Sequence, residues 1–147
     1  DNKITYHIDK SGKQLGRIPM MQDSADYIIK SIQKIEETTG IGISEASFNS
    51  ADLVIGSINK YKDSGNSLEY WGTLSTVYAA DKVFNEEDMV YIDAQLGQAF
   101  GLKSLGKKNQ SYSLSDTVMS YGWEGDYDGF TDSDLSIMKK VWASLQL

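Results

Sequence analysis

The feature that most constrains the fold is an amphipathic segment between Asp23 and Thr39. Its apolar side chains recur every three or four residues, the spacing that places them on one face of an α-helix. These are Ala25, Ile28, Ile29, Ile32 and Ile35. Asp23 or Ser24 is predicted to cap the helix by accepting a backbone N–H, and Gly40 occupies the place where a left-handed residue ends a helix. Such a helix must bury its apolar face against another layer, so the sequence predicts a layered structure.

Extended segments on both sides of this helix predict a sheet. Residues 3–9 (KITYHID) alternate apolar and polar side chains, which is the two-residue period of a strand. The β-branched segments IGIS and ADLVIGSI, and the aromatic segment at 69–79, are also predicted to be strands. Strands alternating with helices predict an α/β fold whose sheet is mixed or mostly parallel.

Two further helices are predicted in the second half of the chain. One spans about Asn85 to Phe100, with Asn85 as its cap and Gly101 as its stop. The other spans about Thr131 to Leu147, where Thr131 and Asp134 have the spacing of a reciprocal capping box. A chain of 147 residues without a linker is expected to form a single domain over 1–147.

Composition excludes several classes of function. Nucleic acids and anionic membranes are bound chiefly through Lys and Arg, yet the chain has 14 of these against 21 acidic residues and a net charge of −7. It has no cysteine, which excludes disulfides and Cys-ligated metal sites. No apolar run approaches the roughly 20 residues of a membrane helix. We therefore expect neither a nucleic-acid partner nor membrane insertion.

The segment YIDAQLGQAFGLKSLG resembles the zinc helix of metzincin metalloproteases, whose pattern is H-E-x-x-H-x-x-G-x-x-H. Aligned on this pattern, Ala94, Gln98 and Ser104 stand at the three histidine positions. Gln95 stands at the position of the general-base glutamate, and Gly101 matches the glycine at which the helix breaks. The frame of the helix is similar to the family, but its ligands and base are absent.

Two later segments extend the resemblance. SDTVMSYG resembles a Met-turn, with Met119 as the methionine beneath the metal and Tyr121 as the tyrosine that serralysins and astacins place beside it. GFTDSDLSIMKKVWA resembles the capped C-terminal helix of serralysins and matrixins. The resemblance implies a zincin-like α/β fold with a twisted mixed sheet, two long helices, a Met-turn and a C-terminal helix. It also implies an N-terminal subdomain at 1–101 and a C-terminal subdomain at 102–147.

The resemblance also implies a substrate cleft. In metzincins a strand that precedes the zinc helix lies along this cleft. The corresponding residues here would be Trp71, Gly72, Thr73 and Leu74. An internal glycine such as Gly72 often marks a bulge or a close approach of the backbone.

The departures from the family remove its chemistry. Metzincin zinc is held by three imidazoles, whereas this chain has one histidine, His7. Without zinc there is no Lewis acid and no activated water, and Gln95 cannot accept and return a proton at neutral pH. We therefore expect no bound metal and no other cofactor. The chain is predicted to be a catalytically inactive metalloprotease-like domain that serves as a structural or protein-interaction module, through a protein partner or self-assembly. The resemblance implies an extracellular, cell-surface or virion location.

Three alternatives stay open. A peptide could add as a strand beside Tyr70–Val77 without being cleaved, because strand addition needs only backbone groups. The chain could be a hydrolase with a mechanism that does not use zinc. The acidic loop EGDYDGFTDSD offers oxygen ligands for calcium, chiefly Asp126 and Asp128, whereas Asp132 and Asp134 are explained by helix capping.

Overall fold

The computed structural model describes residues 3–15, 19–58, 73–77, 84, 86–103, 113–120 and 127–144. Within these ranges, strands and helices follow one another in the order that the sequence predicts. The elements are β1 (Lys3–Ile8), α1 (Gln22–Thr39), β2 (Gly42–Glu45), β3 (Leu53–Ile58), β4 (Thr73–Val77), α2 (Glu86–Ala99) and α3 (Asp132–Ser144).

The described strands form one sheet in the order β2-β1-β3-β4, and every pairing among them is parallel. The register pairs Ile4 with Ile43, Tyr6 with Leu53, and Ile55 with Leu74. The described part of the sheet is therefore parallel throughout, where the resemblance implied a mixed sheet. The burial of β3 fits this arrangement: Leu53 to Ser57 are all buried, as expected for an inner strand covered on both faces.

The apolar stripe of α1 forms the centre of the core. Ala25, Ile28, Ile32 and Ile35 are at most 2% exposed, whereas Ile29, at the edge of the stripe, is half-buried. The helix packs against α2, α3 and β2. The three helices therefore share one core, as the helical periodicity predicts.

The predicted start of α1 is wrong, although its end is right. The helix begins at Gln22, its N-cap is Met21, and no side chain caps it. Ser24 could not serve as the cap because it is buried in the packed face of the helix, 2% exposed. Asp23 lies inside the first turn instead, where a carboxylate still interacts favourably with the helix dipole. At the other end, Gly40 has φ 76° and its N–H closes the last turn.

The capping box predicted for α3 is confirmed. The backbone N–H of Asp134 donates to Thr131 Oγ1 at 3.1 Å, and the backbone N–H of Thr131 donates to Asp134 Oδ2 at 3.1 Å. The predicted cap of α2, Asn85, lies outside the described residues, as do residues 145–147. None of the helices that the structure describes is long and apolar enough to cross a membrane.

Candidate functional site

The residues of α2 that align with the zinc-site positions of the metzincin pattern lie in different environments. Ala94 is buried in the same apolar core as Met119. Gln95 is half-buried and Gln98 is exposed. Ser104 lies outside the described residues, so the described part of this frame consists of one methyl group and two side-chain amides.

The end of α2 is shaped by glycine. Gly101 has φ +111°, and a Cβ there would come within 3.0 Å of Val141 Cγ1. The chain turns at this point, since the N–H of Leu102 donates back to the carbonyl of Gly97 at 2.8 Å. Trp142 of α3 secures the turn by donating its indole N–H to the Phe100 carbonyl at 3.0 Å. The predicted break at Gly101 is therefore confirmed: its backbone conformation favours glycine, and Val141 leaves little space for a side chain.

Asp134 fastens the predicted Met-turn segment to α3. The carboxylate is 1% exposed and accepts from Thr117 Oγ1 at 2.5 Å and from the backbone N–H of Val118 at 2.9 Å. The same carboxylate completes the capping box of α3. Met119 follows directly and is buried, so one side chain fixes both the start of a helix and the backbone beside the methionine. Tyr121 lies outside the described residues.

The donors present do not fit a metzincin zinc site. The side chain of Ala94 has no donor atom, and Gln98 offers only a neutral amide in place of an imidazole. The one histidine, His7, lies on β1, where Nδ1 is 3.0 Å from the Ala46 carbonyl and Nε2 is 2.6 Å from Gln14 Oε1. Three imidazoles cannot be assembled from a chain with one histidine.

The carboxylates considered as calcium ligands also do not converge within the described ranges. Asp134 is committed to the hydrogen bonds above, Asp128 is exposed, and Asp126 lies outside those ranges. No group of three or more His, Asp or Glu residues among the described residues is arranged to hold a metal ion.

No sequence motif pointed to the buried carboxylate on α2, immediately before Ala94. Asp93 is 1% exposed. Its Oδ2 accepts hydrogen bonds from the hydroxyls of Tyr27, at 2.5 Å, and Tyr127. Its Oδ1 accepts from Ser31 Oγ at 2.6 Å. These four residues, called the Asp93 network below, join α1, α2 and the segment that precedes α3.

Burial changes the proton affinities in the Asp93 network. Burial raises the pKa of Asp93 above its ordinary range, although the hydroxyls of Ser31, Tyr127 and Tyr27 partly oppose this by stabilising the charged form. The pKa values of Tyr27 and Tyr127 are also raised, first by burial and then by the nearby charge of Asp93. The two phenols therefore stay protonated and act as donors to the carboxylate.

Two cavities lie in the described part of the molecule near these groups. One of about 560 Å³ opens over the Asp93 network, with Lys30, Lys34, Met89 and Phe130 in its lining. The other, of about 470 Å³, lies beside the Met119 segment and the first turns of α3. Of the predicted cleft residues, Thr73 and Leu74 lie on β4, where they pair with Val54 and Ile55, and 71–72 lie outside the described residues.

Comparison with solved structures assigns the fold to a class: it is metalloprotease-like. The structure of myroilysin matches 95% of this chain and 92% of that chain, with a TM-score of 0.62 and 11% sequence identity. At this identity the likeness establishes the fold alone. No protein-family model matches the sequence, and no curated protein matches it significantly. The prediction of a metalloprotease-like fold is thus confirmed, and the finer assignment to metzincins stays a prediction.

Proposed function

We propose that this chain is a catalytically inactive metalloprotease-like domain that serves as a structural or protein-interaction module. The observation that carries the proposal is the side-chain chemistry of α2. A metalloprotease-like fold presents a methyl group at Ala94 and an amide at Gln95, in a chain with one histidine.

Both halves of the family's chemistry are missing. A zinc protease needs a metal to polarise the substrate carbonyl and to lower the pKa of a water molecule. It also needs a base that can take a proton from that water. Gln95 has nearly the size of glutamate but cannot take up a proton at neutral pH. Restoring one half alone would therefore not restore activity.

The features that support a retained scaffold are those that shape the backbone. Gly101 ends α2, Asp134 fastens the Met119 segment, and Trp142 anchors the end of α2 to α3. These residues stabilise a fold without taking part in hydrolysis. A domain with an intact scaffold and no hydrolytic groups is suited to holding a partner or building an assembly.

Two assays test this proposal together. In the first assay, purified protein is incubated with fluorescent casein to detect hydrolysis. In the second, native mass spectrometry measures the mass of the purified protein and of the complexes recovered with it by pull-down. We expect no hydrolysis, together with a self-assembled state or a captured partner. Clear proteolysis would contradict the loss of activity, and a chain that stays monomeric and captures no partner would contradict the interaction role.

A second candidate function is peptide binding without cleavage. β4 pairs with β3 on one side and is the last strand of the sheet in the part of the chain that the structure describes. A peptide adding there would gain backbone hydrogen bonds. Thr73→Pro removes one backbone donor from β4, whereas Thr73→Val is a control that keeps it. Peptide-array binding that is lost with proline and kept with valine supports this role; binding that survives the proline rules it out.

A further inference from the structure

The cavity over the Asp93 network has the size and lining of a small-molecule site. Its volume is about 560 Å³, within the range of roughly 300–1,000 Å³ typical of ligand pockets. It is lined by residues of α1, α2 and the segment before α3. The proposed scaffold role does not use it, and Ala94, Gln95 and Gln98 are not among its lining residues.

The hydrogen-bond donors and acceptors that remain available in the Asp93 network determine which ligand groups can bind there. The hydroxyls of Tyr27, Tyr127 and Ser31 all donate their single proton to Asp93. A hydroxyl that has donated its proton keeps oxygen lone pairs that can accept, and a carboxylate has about four acceptor positions. Three of these positions are used, two on Oδ2 and one on Oδ1. The network therefore presents acceptors and no further donors.

An ammonium group matches these acceptors. It carries three donors and no acceptor, and its charge complements the buried carboxylate. Burial of Asp93 without a counter-charge is costly, which is why its pKa is raised. A bound ammonium would offset that cost, because hydrogen bonds between charged groups are stronger than neutral ones.

The mouth of the cavity has a different charge pattern. Lys30 and Lys34 are exposed and line the cavity. They stand on the face of α1 that carries Tyr27 and Ser31, since residues three and four apart are neighbours on a helix. The exposed carboxylates Glu37 and Asp128 also line the cavity. A rim that carries two lysines above an acidic floor favours a ligand with both charges over a simple cation.

The remaining walls include Met89 and Phe130, which are apolar. We propose that the cavity binds a free α-amino acid with an apolar side chain. The ammonium contacts the Asp93 network, the carboxylate contacts Lys30 and Lys34, and the side chain packs against the apolar wall.

The first experiment is calorimetric titration of the full chain with L-leucine and two analogues that each lack one charge. 4-Methylpentanoate has no ammonium, and 3-methylbutylamine has no carboxylate. We expect L-leucine to bind and each analogue to bind at least about tenfold more weakly, since each loses charge-assisted hydrogen bonds. L-leucine that shows no binding at about 10 mM overturns the proposal, as does 3-methylbutylamine that binds as tightly as leucine.

Exposed-lysine variants test the orientation of the ligand without disturbing the core. Lys34→Glu is expected to weaken L-leucine binding by about tenfold or more and to leave 3-methylbutylamine unaffected or tighter. Lys139→Glu is the matched control, because Lys139 is also exposed, on α3, and the substitution makes the same change of charge. Equal leucine affinity in both variants overturns the assignment of the carboxylate to the rim.

The Tyr127→Phe variant tests the proposed contact between the ligand ammonium and the Asp93 network. It removes one hydroxyl that contacts Asp93, and we expect both L-leucine and 3-methylbutylamine to bind more weakly. If this variant is unfolded by circular dichroism, the two lysine variants still decide the outcome. The result is independent of the scaffold proposal, since calorimetry with these ligands measures neither casein hydrolysis nor partner capture.

Discussion

Asp93 and Ala94 are adjacent on α2, yet they lie in two regions of contrasting chemistry. Successive residues of a helix point about 100° apart, so neighbours in sequence meet different elements. Asp93 is a buried carboxylate with donors from α1 and from the segment before α3. Ala94 lies in the apolar core that includes Met119. The buried polar chemistry of α2 thus lies beside Ala94, the residue predicted to stand at a metzincin ligand position, and not at Ala94 itself.

The largest expected loss of stability comes from removing the carboxylate of Asp93. Asp93→Ala leaves three hydroxyls without their acceptor, so we expect it to lower the free energy of unfolding by roughly 3 kcal/mol. Gln98→Ala, on the exposed side of the same helix, is the control and is expected to change it by less than about 0.5 kcal/mol. Urea unfolding followed by circular dichroism measures both. Equal stabilities would mean that the network contributes little to the fold.

A smaller effect is expected where α2 ends. Gly101→Ala must adopt φ +111° and also approach Val141 to 3.0 Å, so we expect a loss of roughly 2 kcal/mol. Gly40→Ala, at φ +76° with nothing within 4 Å of the added carbon, separates conformation from packing and should cost about 1 kcal/mol. The measurement is again urea unfolding. A Gly40→Ala loss that equals or exceeds the Gly101→Ala loss would contradict the role of the contact with Val141.

The smallest effect expected is a pH dependence. The pKa of Asp93 is higher in the folded chain than its ordinary value of 3.8, so the folded state binds this proton more tightly than the unfolded state. The resulting stabilisation is fully present below pH 3.8 and is lost as the pH rises through the folded pKa. Asp93→Asn removes this titration and keeps the size of the side chain. The stability of the wild type relative to Asp93→Asn should therefore increase as the pH falls; parallel urea-unfolding profiles would contradict the raised pKa.

The elements were predictable because their signals are local. Helical periodicity located α1, α2 and α3, β-branched composition located the strands, and the four-residue box of Thr131 and Asp134 marked the start of α3. Among the described residues, the local prediction that is wrong is the cap of α1, which depends on which residues the core buries. Ser24 has the chemistry of a cap, but packing places it inside the first turns of the helix.

The Asp93 network could not be predicted in the same way. Its hydrogen bonds join residues 66, 62 and 34 positions apart, and no spacing rule connects them. A weak signal was present: Tyr27 and Ser31 interrupt the apolar side of α1 four residues apart, and Asp93 interrupts the apolar row of α2. Polar residues on two helix faces that must both be buried indicate that they meet, although not which pairs form.

The zinc-helix frame could be predicted only in part, also because local spacing is visible in a sequence and tertiary contacts are not. The resemblance depends on Gly101 and the residues around Met119, which shape the backbone and can be matched by spacing. Convergence of positions 94, 98, 104 and 121 depends on tertiary structure, and the last two lie outside the described residues. The likeness of the fold to myroilysin establishes the fold alone and carries no information about these positions.

The most direct test of the proposed loss of metal chemistry is the zinc content of the purified protein, measured by inductively coupled plasma mass spectrometry. The wild type is compared with a variant in which the ligands and base are restored, carrying Ala94→His, Gln95→Glu, Gln98→His and Ser104→His. We predict far less than one zinc per chain in the wild type and about one per chain in the folded variant. Stoichiometric zinc in the wild type would contradict the claim that this metalloprotease-like fold has lost its metal chemistry.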